Sequence, residues 1–509
     1  MKTKMKPLAL LLALVLIALM QICVSGAETT YTLTLNNTGE TSHQFEIYRI
    51  FSGDLSVNAS GKKVLSNIVW GNGVTESGKA FFGDAAQKAE TLVTEEDGKA
   101  FATALISGGY VQNAVIKTVA ANSADTVTNL EAGYYLIKDT DNSQNMTSGA
   151  YTAYILEVVG DVTAATKLDV PTVEKKVKDI NDTLESDFSE DGWQDSADHD
   201  IGDTIPFKIT GTLPTNYSEY ANYAYKITDE MSAGLTYNGD AKVYVDNGGK
   251  ETEITSQVNI VPTTDASGTT IEITAVDLKA LTGVTIDKDS KIVVYYTAEL
   301  NDNAVAGSGG NTNSAFITYS NNPNAGGNET ASTPKNKTAV FTYKIRIEKV
   351  DENNTPLENA GFTLYKKDST GKWQEVYAYT AGSDTVFTFS GLDDGDYKLV
   401  ESEVPDGYNK FDDLEFTITA EHDTTSQDPA ITSINGAAVE GGVITLQGTQ
   451  TATVSLADGQ ISTIIVNKSG SILPTTGGIG TKIFYITGGI LAVTAILLLI
   501  TKKRTKSDE

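Results

Sequence analysis

Two short stretches decide how this chain is read: Thr172-Val173-Glu174-Lys175-Lys176-Val177 and Arg346-Ile347-Glu348-Lys349-Val350. Each follows a Thr/Pro/Lys-rich joint, the first ending at Pro171 and the second running Thr333-Pro-Lys-Asn-Lys-Thr338. Each is rich in β-branched residues, which favour extended chain. In a strand, residues i and i+2 share a face. Val173, Lys175 and Val177 therefore share one face, and so do Ile347 and Lys349. If that face is inward, each module buries a lysine. The ordinary alternative is a lysine that points to solvent.

The sequence around these stretches is full of similar runs. Examples are Tyr31-Thr-Leu-Thr-Leu35, Ala153-Tyr-Ile-Leu-Glu-Val-Val159, Lys291-Ile-Val-Val-Tyr-Tyr-Thr-Ala298, Val386-Phe-Thr-Phe389 and Ser462-Thr-Ile-Ile-Val466. Gly, Asn and Asp punctuate them. Short strands with regular turn signals predict a mostly β protein of tandem sandwiches. One helical segment is expected, Ala85 to Leu105, with Gly98 as an interruption.

The chain has 509 residues, enough for about three domains. Its net charge of −28 argues against nucleic-acid binding, which needs clustered Lys and Arg. One cysteine, Cys23, excludes an internal disulfide framework and a cysteine-based zinc cluster. The histidines, His43, His199 and His422, stand far apart, so no catalytic triad or metal site is expected, nor any cofactor. No nucleophile elbow appears either, which argues against a secreted hydrolase. Ten acids fall between Asp179 and Asp203 without EF-hand spacing, and a solvated loop is expected there rather than a calcium site.

The ends set the compartment. Lys2, Lys4 and Lys6 precede an apolar run from Leu8 to Met20 and small residues at Ser25, Gly26 and Ala27, the pattern of a secretory signal peptide over 1–27. Near the other end, Leu473-Pro474-Thr475-Thr476-Gly477 is followed by an uncharged segment, 483–501, and then Lys502-Lys503-Arg504. That segment is long enough to span a bilayer, and the basic cluster fits the positive-inside rule. The order resembles the cell-wall sorting signal of Gram-positive surface proteins. The resemblance implies that a sortase cysteine attacks the carbonyl of Thr476, releases Gly477 onward, and passes the acyl group to an amine.

The third module contains Gly395-Asp-Tyr-Lys-Leu-Val-Glu401-Ser-Glu-Val-Pro405-Asp-Gly407-Tyr408. This resembles the E-box of collagen-adhesin B-type domains, a Tyr-x-Leu-x-Glu strand followed by Pro-x-Gly-Tyr. The last strand ends Ile464-Ile-Val-Asn467-Lys468. By that resemblance Lys349, Glu401 and Asn467 match the family's self-forming isopeptide set, with Glu401 as the catalytic acid. Burial disfavours the charged form of a lysine, so a neutral amine can attack an asparagine side-chain amide and release ammonia.

The second module resembles the pilin form of the same superfamily. Lys175 is the expected nucleophile, with Lys176 the alternative by one residue of register. Ile227-Thr-Asp229-Glu-Met-Ser-Ala-Gly234-Leu235 looks like the strand that supplies the acid, with Asp229 preferred to Glu230. The asparagine is Asn313, or alternatively Asn321, which parity places on the same face. In the first module, Gly133-Tyr-Tyr-Leu-Ile-Lys138 looks like the E-box strand, but Lys138 stands where glutamate is required, so no bond of this type is expected there. The stretches Gln44 to Asp54 and Asn67 to Gly71 resemble the N-terminal domain of major fimbrial subunits.

The chain as a whole resembles a Gram-positive sortase-assembled major pilin. The resemblance implies three immunoglobulin-like sandwiches (28–167, 168–338 and 339–470) and a sorting signal over 473–509. It implies a covalent polymer of copies joined through Thr476 and a lysine at the end of the first domain, Lys167, with Lys178 and Lys335 as rivals. The implied partners are a class C-type pilus sortase, a housekeeping sortase, minor pilins and peptidoglycan, and the implied location is a wall-anchored surface pilus. The protein is then no enzyme in the turnover sense. The alternative function is a monomeric wall-anchored adhesin.

Overall fold

The computed structural model describes residues 29–39, 41–165, 170–179, 192–323, 329–470 and 479–504. The signal peptide, Lys167 and the Leu473–Gly477 motif lie outside the described residues. The fold is mostly β, and its sheets fall into three groups along the chain.

In the first group, Thr30–Asn37 lies between Ser123–Glu131 and Val162–Ala165 in one sheet. A second sheet is built on the long strand His43–Val57, flanked by Lys63–Trp70 and Gly133–Asp139. Leu33, Leu35, Phe45, Ile47 and Ile137 form the core between them. The other face of the second sheet is covered by helices Glu76–Phe82, Ala85–Glu90 and Glu95–Ser107, which bury Phe51, Phe101 and Leu105. The single helix expected over Ala85 to Leu105 is thus two, and Gly98 is not the break. Thr94 starts the second by a capping box: its hydroxyl accepts from Asp97 N while the Asp97 carboxylate accepts from Thr94 N.

The second group is a sandwich. One sheet runs Trp193–Gln194, Val173–Lys178, Thr204–Gly211, Lys291–Leu300, Lys242–Asp246, Glu251–Glu253. The other runs Ser196–Asp198, Asn336–Phe341, Asn311–Ser320, Tyr225–Ser232, Gly268–Ala275, Asn259–Asp265. Alternating inward residues such as Phe207, Ile209, Ile227, Val294 and Ile317 fill the space between them. The strand Asn336–Phe341 straddles the 338/339 border expected from the joint, because it pairs with Asn311–Ser320 inside this sandwich. The acidic stretch is also not wholly a solvated loop. Residues 193–198 form two short strands, and Asp195 and Asp198 are buried; the acids from Asp182 to Asp191 lie outside the described residues.

The third group is a smaller sandwich. Tyr343–Asp351 and the last strand, Gln460–Asn467, run parallel in one sheet, and Gly361–Lys367 and Gly395–Glu403 form the centre of the other. Compactness divides the molecule into two units: one holds the described residues up to Thr342 together with His422–Ile431, and the other holds the described residues of Tyr343–Glu421 and Thr432–Glu509.

A helix, Ile479–Arg504, covers the expected span. Its side chains are described only in part, and among the described residues no helix is long and apolar enough to cross a membrane. Phe362 and Phe387 meet edge to face at 4.9 Å in the core of the second unit, both fully buried. Phe362→Ala is expected to destabilise that unit by about 3–5 kcal/mol, read as a lower urea midpoint.

Candidate functional sites

Lys175 lies on the inner face of the second sandwich, opposite Ile209 in register and fully buried. Its neighbour Lys176 faces the other way and pairs with Asp195 at 2.7 Å. Period two decides between them, because Val177 continues the inward face while Lys176 does not. The Lys175 ammonium nitrogen sits 5.3 Å from the Phe207 ring centre and donates to Asp229 Oδ1 at 2.5 Å. Asp229 comes from the facing sheet, where it pairs with Ala315. Glu230 points outward to Lys335.

Asn313 lies on the same facing sheet, opposite Met231. Between the lysine and the asparagine stands a residue that the sequence reading passed over, Tyr296. Its hydroxyl oxygen accepts from Lys175 Nζ at 2.7 Å and from Asn313 Nδ2 at 2.6 Å, and it donates to Asp229 Oδ2. Parity held the signal: Ile292, Val294, Tyr296 and Ala298 all point inward, and a tyrosine hydroxyl on a core face needs a partner. Gly234, in the acid-bearing motif, is needed where it stands, because a Cβ there would lie 2.2 Å from Asn311 Oδ1. Asn321 is elsewhere. It donates to Gln144 O at 2.9 Å and accepts from Tyr151 N, so it joins the first group of sheets to the second.

The third sandwich repeats the set with different geometry. Lys349 pairs with Ile465 and Asp351 with Asn467 on adjacent parallel strands, so Lys349 and Asn467 share an inner face two residues apart. Glu401 faces them from the other sheet, 3.9 Å from Lys349 Nζ. Asn467 Nδ2 donates to Glu401 Oε1 at 2.7 Å, and Phe411 N donates to Oε2 at 2.7 Å, which fixes the carboxyl plane. The Pro-Asp-Gly-Tyr turn lies against the end of the last strand, with Tyr408 bridged to Ser469 and Asn409 N donating to Lys468 O.

Electrostatics favours reactive amines at both places. Burial pushes the Lys175 amine below its ordinary range, against the pull of Asp229. Burial pushes Lys349 down to about 8, against the pull of Glu401. The side-chain oxygens Asn313 Oδ1 and Asn467 Oδ1 are buried without a hydrogen-bond partner among the described residues. Such an orphaned amide oxygen is costly, and in both sites it belongs to the amide next to the lysine.

In the first group of sheets, Lys138 pairs with Glu46 at 3.0 Å and Asp141 at 2.8 Å. Lys178 stacks on Trp193.

The chain is thus a mostly β, multidomain protein in which two sandwiches each bring a lysine, an acid and an asparagine together. Comparison with known proteins agrees. Residues 201–323 match the Gram-positive pilin backbone subunit 2, Cna-B-like domain, and residues 343–431 match the SpaA prealbumin-like fold domain. The trypsin-resistant surface T6 protein of Streptococcus pyogenes serotype M6 is 25% identical over 394 residues, covering 67% of this chain and 70% of that protein. The solved T6 backbone pilin of serotype M6 Streptococcus pyogenes, with a modular three-domain structure, superposes with a TM-score of 0.55 at 18% identity, covering 88% of this chain and all of that one. Over residues 201–323 the chain is thus similar to a Gram-positive pilin backbone domain, and its fold resembles that of a solved backbone pilin.

Asn467→Ala leaves Lys349 a free buried amine. Its folded pKa of about 8 lies below the ordinary 10.5, so between those values the unfolded chain binds more protons. The stability of the second unit is therefore expected to rise as pH increases from about 8 towards 10.5, and to be lowest below 8. Urea midpoints across that range check it, and the rise should vanish when Lys349→Met is added.

Proposed function

We propose that the chain is the major shaft subunit of a sortase-polymerised, wall-anchored surface pilus, stabilised by two internal isopeptide bonds, Lys175–Asn313 and Lys349–Asn467. The single observation that carries the internal bonds is the pairing of a fully buried lysine with an asparagine amide across a buried acid, in both sandwiches. An isolated charge is expensive in an apolar core, and bonding to the neighbouring amide would remove it.

The chemistry follows from the contacts. A neutral Lys175 amine attacks Cγ of Asn313, forming a C–N bond. The C–Nδ2 bond breaks, and the amide nitrogen leaves as ammonia after taking up the proton the lysine loses. Asp229 holds and passes that proton, and Tyr296 bridges lysine, acid and leaving nitrogen. In the third sandwich Glu401 contacts both partners itself. A dry, fixed geometry supplies much of the rate. The Lys175 bond joins the two sheets of its sandwich, and the Lys349 bond joins the first strand of its sandwich to the last.

Between subunits, Thr476 of one copy is joined to Lys167 of the next, with the uncharged segment 483–501 read from the sequence holding the precursor at the membrane until a sortase cuts. The pilin-backbone matches and the LPTTG motif support this reading.

Intact-mass spectrometry tests the internal bonds. The chain is expected to be lighter than its sequence mass by two molecules of ammonia, and Asp229→Ala and Glu401→Ala each to restore one. An unshifted mass refutes both bonds. Tyr296→Phe is expected to slow formation of the Lys175 bond by on the order of 100-fold while the fold persists. For polymerisation, Lys167→Ala should abolish the high-mass ladder on a denaturing gel. A ladder that survives moves the junction to another lysine, and a wild type without a ladder makes the protein a monomeric adhesin.

A further inference from the structure

Outside the two lysine sites, the first unit gathers another set of polar side chains. His422, Asp179 and Asp198 come from three separate chain segments, and one ligand atom of each lies within 4.8 Å of the others. His422 Nε2 is 3.4 Å from Asp198 Oδ1 and 3.6 Å from Asp179 Oδ2. These separations exceed the about 2.7–3.2 Å of an N–H···O hydrogen bond. They approach the edges of a tetrahedron whose corners lie about 2.0–2.1 Å from a central ion.

The second ring nitrogen fixes the tautomer. His422 Nδ1 is 2.8 Å from Ser196 Oγ, and Ser196 Oγ donates its hydrogen to Asp423 O at 2.8 Å. The serine oxygen must therefore accept from Nδ1–H. Burial lowers the ring's affinity for its proton, but the Asp179 and Asp198 carboxylates outweigh it and raise His422 to about 9, so an ion has to displace the Nε2 proton before the lone pair there can face it. The His422 side chain is only 7% exposed and that of Asp198 6%, whereas Asp179 is 29% exposed and leaves a side open to solvent. Asp179 Oδ2 is held by Gln194 Nε2 at 3.1 Å. The Phe341 ring lies tilted at 45° to the imidazole, 5.7 Å away.

We propose that Asp179, Asp198 and His422 form a binding site for a divalent transition-metal ion of the zinc type. An imidazole with two carboxylates suits zinc and its neighbours, whereas calcium and magnesium take all-oxygen sets. Ser196 and Gln194 are the outer contacts that orient the ligands. The open side at Asp179 leaves a fourth position for water. A bound ion would tie together the end of the Val173–Lys178 strand, the Ser196–Asp198 strand and the His422–Ile431 segment, all within one unit.

The test is calorimetric titration of the full chain with zinc chloride, alongside cobalt(II) absorption as a report on coordination. One equivalent is expected to bind, calcium chloride is expected to give no comparable heat, and zinc should raise the unfolding temperature of the first unit. His422→Ala and Asp198→Asn should each weaken zinc binding by about tenfold or more. Asp179→Asn provides a milder third variant should either of those fail to fold. The proposal is overturned if the wild type takes up no zinc, which would leave the three groups an ion-pair cluster. It is equally overturned if uptake is unchanged in the folded variants, which would put the metal elsewhere.

Discussion

A lysine amine in a dry β-sandwich core is the constraint on which the rest of this structure depends. Burying an ammonium without compensation is prohibitive, so each such lysine must be neutral, paired or consumed. Lys175 and Lys349 are both fully buried, and around each the fold supplies one acid and one asparagine amide. The strand registers follow from this demand. Lys175 can meet Asp229 only if two facing sheets hold their first and middle strands in one alignment, and Lys349 can meet Asn467 only if the first and last strands run parallel.

The two sites solve the same problem with different parts. In the second sandwich, Asp229 is short, and Tyr296 extends its reach to Asn313. In the third, the longer Glu401 contacts the asparagine itself, and a backbone N–H from Phe411 orients it. Among the described residues the first group of sheets has no matching set: Lys138 stands on the E-box-like strand and is satisfied by Glu46 and Asp141. That group relies on a helical layer over its second sheet and on Asn321, which ties it to the neighbouring sandwich.

Much of this was legible in one dimension. Alternation named the strands, and parity put Lys175 on one face with Val177 and Lys349 on one face with Ile347; the structure turned those faces inward. The motif resemblance supplied Glu401, Asn467 and Asp229. Other features were invisible for physical reasons. Asn313 and Asn321 have the same parity, so only their neighbours separate them, and those neighbours lie on other strands or on a loop of the first group. Tyr296 looked like one more aromatic in a buried run, because nothing local reveals what a hydroxyl meets across a sandwich. The acids at 195 and 198 read as a charged loop because burial of an aspartate depends on distant partners such as Lys176 and His422.

What the sequence alone determined is whatever depends on spacing along the chain: the β class, the tandem modules, and which residues share a face with Lys175 and with Lys349, since period two is a local property of extended backbone. What only the tertiary structure decided is whatever depends on contact between strands far apart in sequence. It placed Asn313 across the Tyr296 hydroxyl from Lys175, and set His422 beside Asp179 and Asp198. Those choices are made by register and sheet packing, and side chains remote along the chain become neighbours only when the sandwiches close.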